Sequence, residues 1–200
     1  MGQAGQGEGA DALSFWRGSL AGPQYELARR YLGRIEPALR ERASSYGLLA
    51  PAAQHIMLAG GKRIRALVLL AVAEALGADW ADAVDQALAI ELVHTASLIH
   101  DDIVDGTAHR RGMRAVHERF GAAAAILTGD LLCFDAFVLA GALRGAVPVL
   151  AGACREMCLG EAMPSGPQAT EMKTAPLFGS ISVTTWRSDF ARCSPSTHST

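Results

Sequence analysis

From Trp80 to Val104 the chain runs without a single glycine or proline, and alanine and leucine recur throughout. A stretch of that length, with no residue that bends the backbone or removes a donor, has one economical conformation: a long α-helix. Gly106, just beyond it, is where such a helix stops. A helix this apolar needs other elements to cover it, and the remaining periodic segments predict helices too. Between Pro23 and residue 45, Tyr25, Leu27, Ala28, Tyr31, Leu32, Ile35 and Leu39 recur at helical spacing with charges between them, an amphipathic pattern with a bend expected at Pro37. Pro51 to Leu58 reads as a short helix closed by Gly60 and Gly61, and Arg63 to Leu76 as a buried one closed by Gly77. Ala122 to Gly145 and Val147 to Glu161 supply two more, joined near Pro148. Nowhere does apolar–polar alternation persist long enough to predict a sheet, so the expected class is all-α, a bundle of buried helices.

Three regions differ in character. Residues 1–22 are Gly-rich and predict a flexible lead-in, 23–162 carry the helical patterns, and 163–200 form a divergent Pro/Ser/Thr-rich tail broken by Pro164, Pro167, Pro176 and Pro195. With half of its 200 residues apolar, the chain can bury a real core, as one domain or as part of a larger one. A net charge of -2 provides no general field for nucleic acid or anionic lipid, so anion recognition must come from the local clusters at 62–65 and 110–114. Cys133, Cys154, Cys158 and Cys193 follow no zinc or disulfide spacing, which points to a reducing cytoplasm. Cys154 and Cys158, one turn apart, read as core thiols. The N-terminus lacks the basic and apolar regions of a signal peptide. The apolar run from Leu131 to Ala153 is interrupted by Asp135, Arg144 and Pro148, which favours buried helices over a membrane span.

The chemistry concentrates at the end of the long helix. Asp101 and Asp105 are four residues apart and share a face, with Asp102 beside them, between Leu98 and Ile99 on one side and Ile103 and Val104 on the other. Like charges at that spacing repel, and a hard divalent cation would relieve them. Alone, the aspartates leave a solvated helix face and a metal site equally open. Two basic clusters shift the balance. Gly60, Gly61, Lys62, Arg63 and Arg65 open the preceding helix, gathering free amides, the helix dipole and cations at one end; Arg110, Arg111 and Arg114 follow the aspartates directly. Basic clusters on both sides of one acidic helix suggest two diphosphates, one bridged through metal and one held by cations.

GGKRIR (60–65), ELVHTASLIHDDIVD (91–105), RRG (110–112) and GDLL (129–132) resemble, in order, the motifs of the trans-isoprenyl diphosphate synthases, or polyprenyl synthetases, over about residues 25–161. Terpene cyclases share an aspartate-rich helix but lack the GGKRIR opening. The resemblance implies an isoprenoid-synthase-like helical bundle, incomplete at the C-terminus, and a prenyltransferase of isoprenoid biosynthesis that condenses isopentenyl diphosphate with an allylic diphosphate. It implies Mg2+ bound by Asp101, Asp102 and Asp105, Arg110 on the allylic diphosphate, and isopentenyl diphosphate held by Lys62, Arg65, His94 and Arg111, with Arg63 in the same basic run. His94 lies seven residues before Asp101 and so on nearly the same helix face, although a lone helical histidine is more often a core residue.

Ala96 and Ser97, five and four residues before Asp101, match positions that floor the product pocket in the family, and their small size implies a geranylgeranyl or longer product. Lys173 and Thr174 match a Lys-Thr pair that contacts the allylic diphosphate in the family, but they follow Glu161 too soon. Family members carry a second aspartate-rich motif. After Asp130 the acids Asp135, Glu156, Glu161, Glu171 and Asp189 stand singly, so weak or absent activity is expected of this chain by itself. The alternative is a non-catalytic partner that docks on a full-length synthase, and homodimerisation is a further expectation.

Overall fold

The computed structural model describes residues 12–162. Its order is α1 (Ala12–Ser19), α2 (Pro23–Ser45), α3 (Ala50–Met57), α4 (Ile64–Ala75), α5 (Val84–Val104), β1 (His109–Arg110), β2 (Met113–Arg114), α6 (Val116–Phe120), α7 (Ala122–Ala140) and α8 (Ala146–Glu161), with short 3-10 turns at Gly47–Leu49 and Trp80–Ala83. The all-α bundle expected from the helical periodicities is the observed architecture.

The long run predicted from 80 to 104 divides at its start. Asp79 caps a 3-10 turn by accepting from the Ala81 amide, and α5 proper begins at Val84. This helix is the axis of the bundle. Ala87, Leu88, Leu92, Val93, Ala96 and Ile99 are buried on it, and α7 packs along it more extensively than any other pair of elements. Small residues allow that closeness. A Cβ at Gly129 of α7 would overlap the ring of His100 on α5, so the glycine of the GDLL motif is where the histidine ring lies against the neighbouring helix.

Helix α2 buries Tyr31, Leu32, Ile35 and Leu39, the periodic residues of the sequence, and runs unbroken from Pro23 through Pro37 to Ser45. It is pinned to α7 by Arg42, whose Nη1 lies 3.0 and 2.9 Å from the two carboxylate oxygens of Asp135, and by the Tyr46 hydroxyl, which donates to Oδ2 of the same residue at 2.6 Å. The acid that interrupts the apolar run is therefore a cross-helix anchor.

Three features depart from the sequence reading. Residues 12–19, within the expected flexible lead-in, form α1. The helix predicted through Gly145 ends at Ala140, and Gly145, with φ 84°, leads into α8, where Pro148 falls in the first turn and its missing N–H costs nothing. A two-residue ribbon, β1–β2, replaces the expected absence of strands. Its turn is made by Arg111 (φ 51°) and Gly112 (φ 77°), two successive left-handed residues that suit a tight hairpin.

Among the described residues one helix, α7, is long and apolar enough to cross a membrane by length and composition. About a third of its apolar stretch, including Ala125, Leu132, Ala136 and Leu139, is buried in the packed core. Leu132 is fully enclosed whereas Phe134, two residues on, is 65% exposed. Leu132→Ala is expected to cost about 2–5 kcal/mol in denaturant unfolding, and Phe134→Ala less than about 0.5 kcal/mol.

Candidate functional site

The last turn of α5 presents the aspartates. Asp105 is its C-cap, with its amide bonded to the Asp101 carbonyl at 2.8 Å. Gly106 (φ 63°) and the Thr107 amide, which donates to the Asp102 carbonyl at 2.9 Å, then turn the chain back on itself. That reversal lays β1 beside the helix end. Arg110 reaches Asp102 with Nε at 2.8 and 2.9 Å from its two carboxylate oxygens and Nη2 at 2.7 Å. Asp102 is 1% exposed, so this fork-like pair satisfies a carboxylate that has left water, and it holds the Arg110 guanidinium above its ordinary pKa.

The three aspartates thus divide. Asp102 anchors Arg110, while Asp101 is half-buried and Asp105 is exposed on the same face one turn apart. Among the described residues no three His, Cys, Asp or Glu side chains converge into a ready-made metal cage. A pair of carboxylates is nevertheless what magnesium commonly takes when phosphate oxygens and waters complete its shell, and hard oxygen donors suit that ion. Asp101 and Asp105 fit such a role.

The second part of the site is a cavity of about 300 Å³ lined by Ile56, Gly61, Lys62, Arg65, His94 and Arg111, together with residues of α4 and α5 behind them. The hairpin explains how Arg111 joins it. Arg110 ends β1 and turns to Asp102, whereas Arg111, the first left-handed residue of the turn, reaches across to donate to the Gly60 carbonyl. A Cβ at Gly61 would meet Nη1 of Arg111 at 3.0 Å, which accounts for a glycine there. Arg65 contributes an Nε that is buried and has no hydrogen-bond partner, an orphaned donor of the kind an anion satisfies.

His94 also lines the cavity. Burial, then the neighbouring cations Arg65, Arg111, Arg110 and Arg63, push its pKa down to about 4, so it is neutral near pH 7, with one donor and one acceptor. Its ring lies in the same cavity lining as Arg65 and Arg111.

Arg63, read with Lys62 and Arg65 as a substrate contact, also lines the cavity but is 7% exposed and makes its polar contacts with the protein itself. Its Nε donates to Glu36 at 2.8 Å, Nη2 donates to the Met57 carbonyl at 2.6 Å, and Nη1 lies 3.8 Å from Glu91. Glu91 is itself buried, which raises its pKa against the pull of Arg63, and it accepts the Ala66 amide in the first turn of α4. Sequence reading passed over Glu36 and Glu91; for Glu91, an acid inside an apolar helical stretch was the available signal. Arg114 also turns away, with its side chain 3.4 Å from Glu118. Ala96 is fully buried, Ser97 donates to the His94 carbonyl at 2.9 Å, and Lys173 and Thr174 lie outside the described residues.

The polyprenyl synthetase family model matches residues 47–178. The chain belongs to the polyprenyl synthetase family. The match continues past residue 161, where the motif likeness stops, and takes in Lys173 and Thr174. Among curated relatives, the geranylgeranyl pyrophosphate synthase of Geoglobus acetivorans is 43% identical over 137 residues, 65% of this chain and 42% of that protein. The farnesyl diphosphate synthase of Geobacillus stearothermophilus is 47% identical over 113 residues, 55% of this chain and 35% of that protein. The polyprenyl synthase of Caulobacter crescentus, solved with calcium and isoprenyl diphosphate, is 32% identical with a TM-score of 0.71, covering 84% of this chain and 56% of that one. The chain spans less than half the length of the first curated relatives it matches.

The depressed His94 pKa has a measurable consequence. The unfolded chain takes up the His94 proton near pH 6.5 and the folded chain only near 4, so the stability associated with His94 is complete above about 6.5 and is lost as pH falls toward 4. Glu91, shifted upward, contributes with the opposite sign, so the His94 component appears in the difference between variants. Chemical denaturation of parent and His94→Gln across pH 4–7 is expected to show a shallower acid decline in the variant.

Proposed function

We propose that this chain provides the diphosphate-binding half of a trans-prenyltransferase joining isopentenyl diphosphate to an allylic diphosphate. The observation that carries this reading is the pairing, along one face of α5, of a cationic cavity holding an orphaned Arg65 donor with a carboxylate end at Asp101 and Asp105. The family's chemistry needs both: the allylic carbon–oxygen bond breaks, the diphosphate leaves, the isopentenyl double bond forms the new carbon–carbon bond to the resulting carbocation, and a proton is lost.

Within that reading, Lys62, Arg65, His94 and Arg111 bind isopentenyl diphosphate. His94 remains neutral there, so it donates a hydrogen bond without adding a sixth positive charge to Lys62, Arg63, Arg65, Arg110 and Arg111. Arg110, steered by Asp102, keeps Nη1 outside that pair for the allylic diphosphate. Magnesium held by Asp101 and Asp105 would supply Lewis-acid neutralisation of the leaving diphosphate. Asp102 serves by orienting Arg110. The uncommitted thiols of Cys133, Cys154 and Cys158 accord with a cytoplasmic protein.

A second reading, a partner that associates with a full-length synthase or with its own copy, draws on a different observation. Ile126, Leu127, Phe134 and Val138 leave one side of α7 exposed and apolar.

Isothermal titration of the purified chain with isopentenyl diphosphate is expected to give saturable binding that Arg65→Gln weakens by about tenfold or more, the loss of one charge-assisted contact. A parent chain that takes up no isopentenyl diphosphate would refute the reading. In a chain completed to the length of its relatives, Ala96→Phe is expected to shorten the product by filling the wall above Asp101. An unaltered product distribution would remove Ala96 from any role in chain length.

A further inference from the structure

α1 lies outside every motif that led to the site, yet it touches the site directly. The Nζ of Lys62 sits 4.3 Å from the centroid of the Phe15 ring. Next along the helix, the indole N–H of Trp16 donates to the Lys62 carbonyl at 2.8 Å, and the two rings meet edge to face at 5.0 Å and 81°. The helix that carries them is seated by Ala12, which is 2% exposed, and by packing on α2, where Arg17 Nε lies 3.4 Å from the Tyr25 hydroxyl.

We propose that Phe15 and Trp16 are positioning residues of the diphosphate cavity, holding the side chain and the backbone of Lys62 so that its ammonium meets the ligand already oriented. The inference rests on the diphosphate reading above. Its physical basis is the way each cation of the cavity is held. Arg63 is consumed by two carboxylates and a carbonyl, and Arg111 gives a donor to Gly60. Lys62 is held by a ring instead. An aromatic face attracts an ammonium through its quadrupole and consumes none of its N–H donors, so all three stay available for phosphate oxygens. A carboxylate in the place of Phe15 would compete with the ligand; the ring restrains the flexible lysine stem and leaves its charge free. Trp16 does the same for the loop, since its donor satisfies the carbonyl just ahead of the α4 N-terminus and fixes where the lysine stem begins.

Titration calorimetry of the full chain with inorganic pyrophosphate tests this. Phe15→Leu, which keeps apolar bulk and removes the quadrupole, is expected to weaken binding by about two- to fivefold, the scale of one exposed cation–π contact. Phe15→Trp should bind at least as well as the parent, and Trp16→Phe, which deletes only the donor, should bind more weakly. In a Lys62→Met background Phe15→Leu should have no further effect, a coupling that a purely structural role of α1 would not produce. Equal or tighter binding by Phe15→Leu, or an undiminished loss in the Lys62→Met background, would overturn the proposal. A parent chain that binds neither pyrophosphate nor isopentenyl diphosphate would instead overturn the diphosphate reading, and this inference with it.

Discussion

The buried guanidinium of Arg63 is the interaction on which the geometry of the site depends. It joins four helices at one point: Glu36 on α2, the Met57 carbonyl at the end of α3, its own position as the left-handed residue preceding α4, and Glu91 on α5. A charge so placed is costly to desolvate, and removing one member of a buried pair generally costs about 3–5 kcal/mol because the survivor stays buried without a partner. The network therefore specifies more than it stabilises. With Arg63 locked, Lys62 and Arg65 on either side are directed outward toward the cavity, and Glu91 ties α5 to the first turn of α4 through the Ala66 amide. His94, one turn after Glu91, is carried to the cavity wall by the same attachment.

Local pattern and tertiary assignment were not equally legible in the sequence. α2, α4, α5, α7 and α8 follow from apolar periodicity and glycine stops, because a helix that buries one face records that face every three or four residues. The β1–β2 ribbon escaped because two residues per strand hold no period, although the RRG turn carries its own signal in the glycine. α1 escaped because its eight residues are preceded by a Gly-rich stretch and their stability comes from contacts with α2 and Lys62. Lys62, Arg63 and Arg65 read as a single basic cluster, since nothing in a one-dimensional string shows that Arg63 adopts positive φ and turns inward. Likewise the spacing that puts Asp101, Asp102 and Asp105 together does not reveal that Asp102 belongs to Arg110.

That division within the aspartates bears on how two anions of like charge are to be brought together. By helical rise, His94 and Asp101 stand roughly 10 Å apart along α5, so the cationic cavity and the carboxylate end are stacked on one rigid rod. Asp102 lies one residue beyond Asp101, within the carboxylate end, and Arg110 pairs with it there while its charge is still felt at His94. Because Asp102 neutralises part of Arg110, that arginine belongs to neither cluster alone. Because Asp102 is buried against it, the carboxylate is withheld from solvent. The hairpin makes a connection out of a sequence neighbour relation: Arg110, the last residue of β1, pairs with Asp102, and Arg111, the left-handed turn residue after it, donates to the Gly60 carbonyl, so one turn reaches both the end of α5 and the cavity.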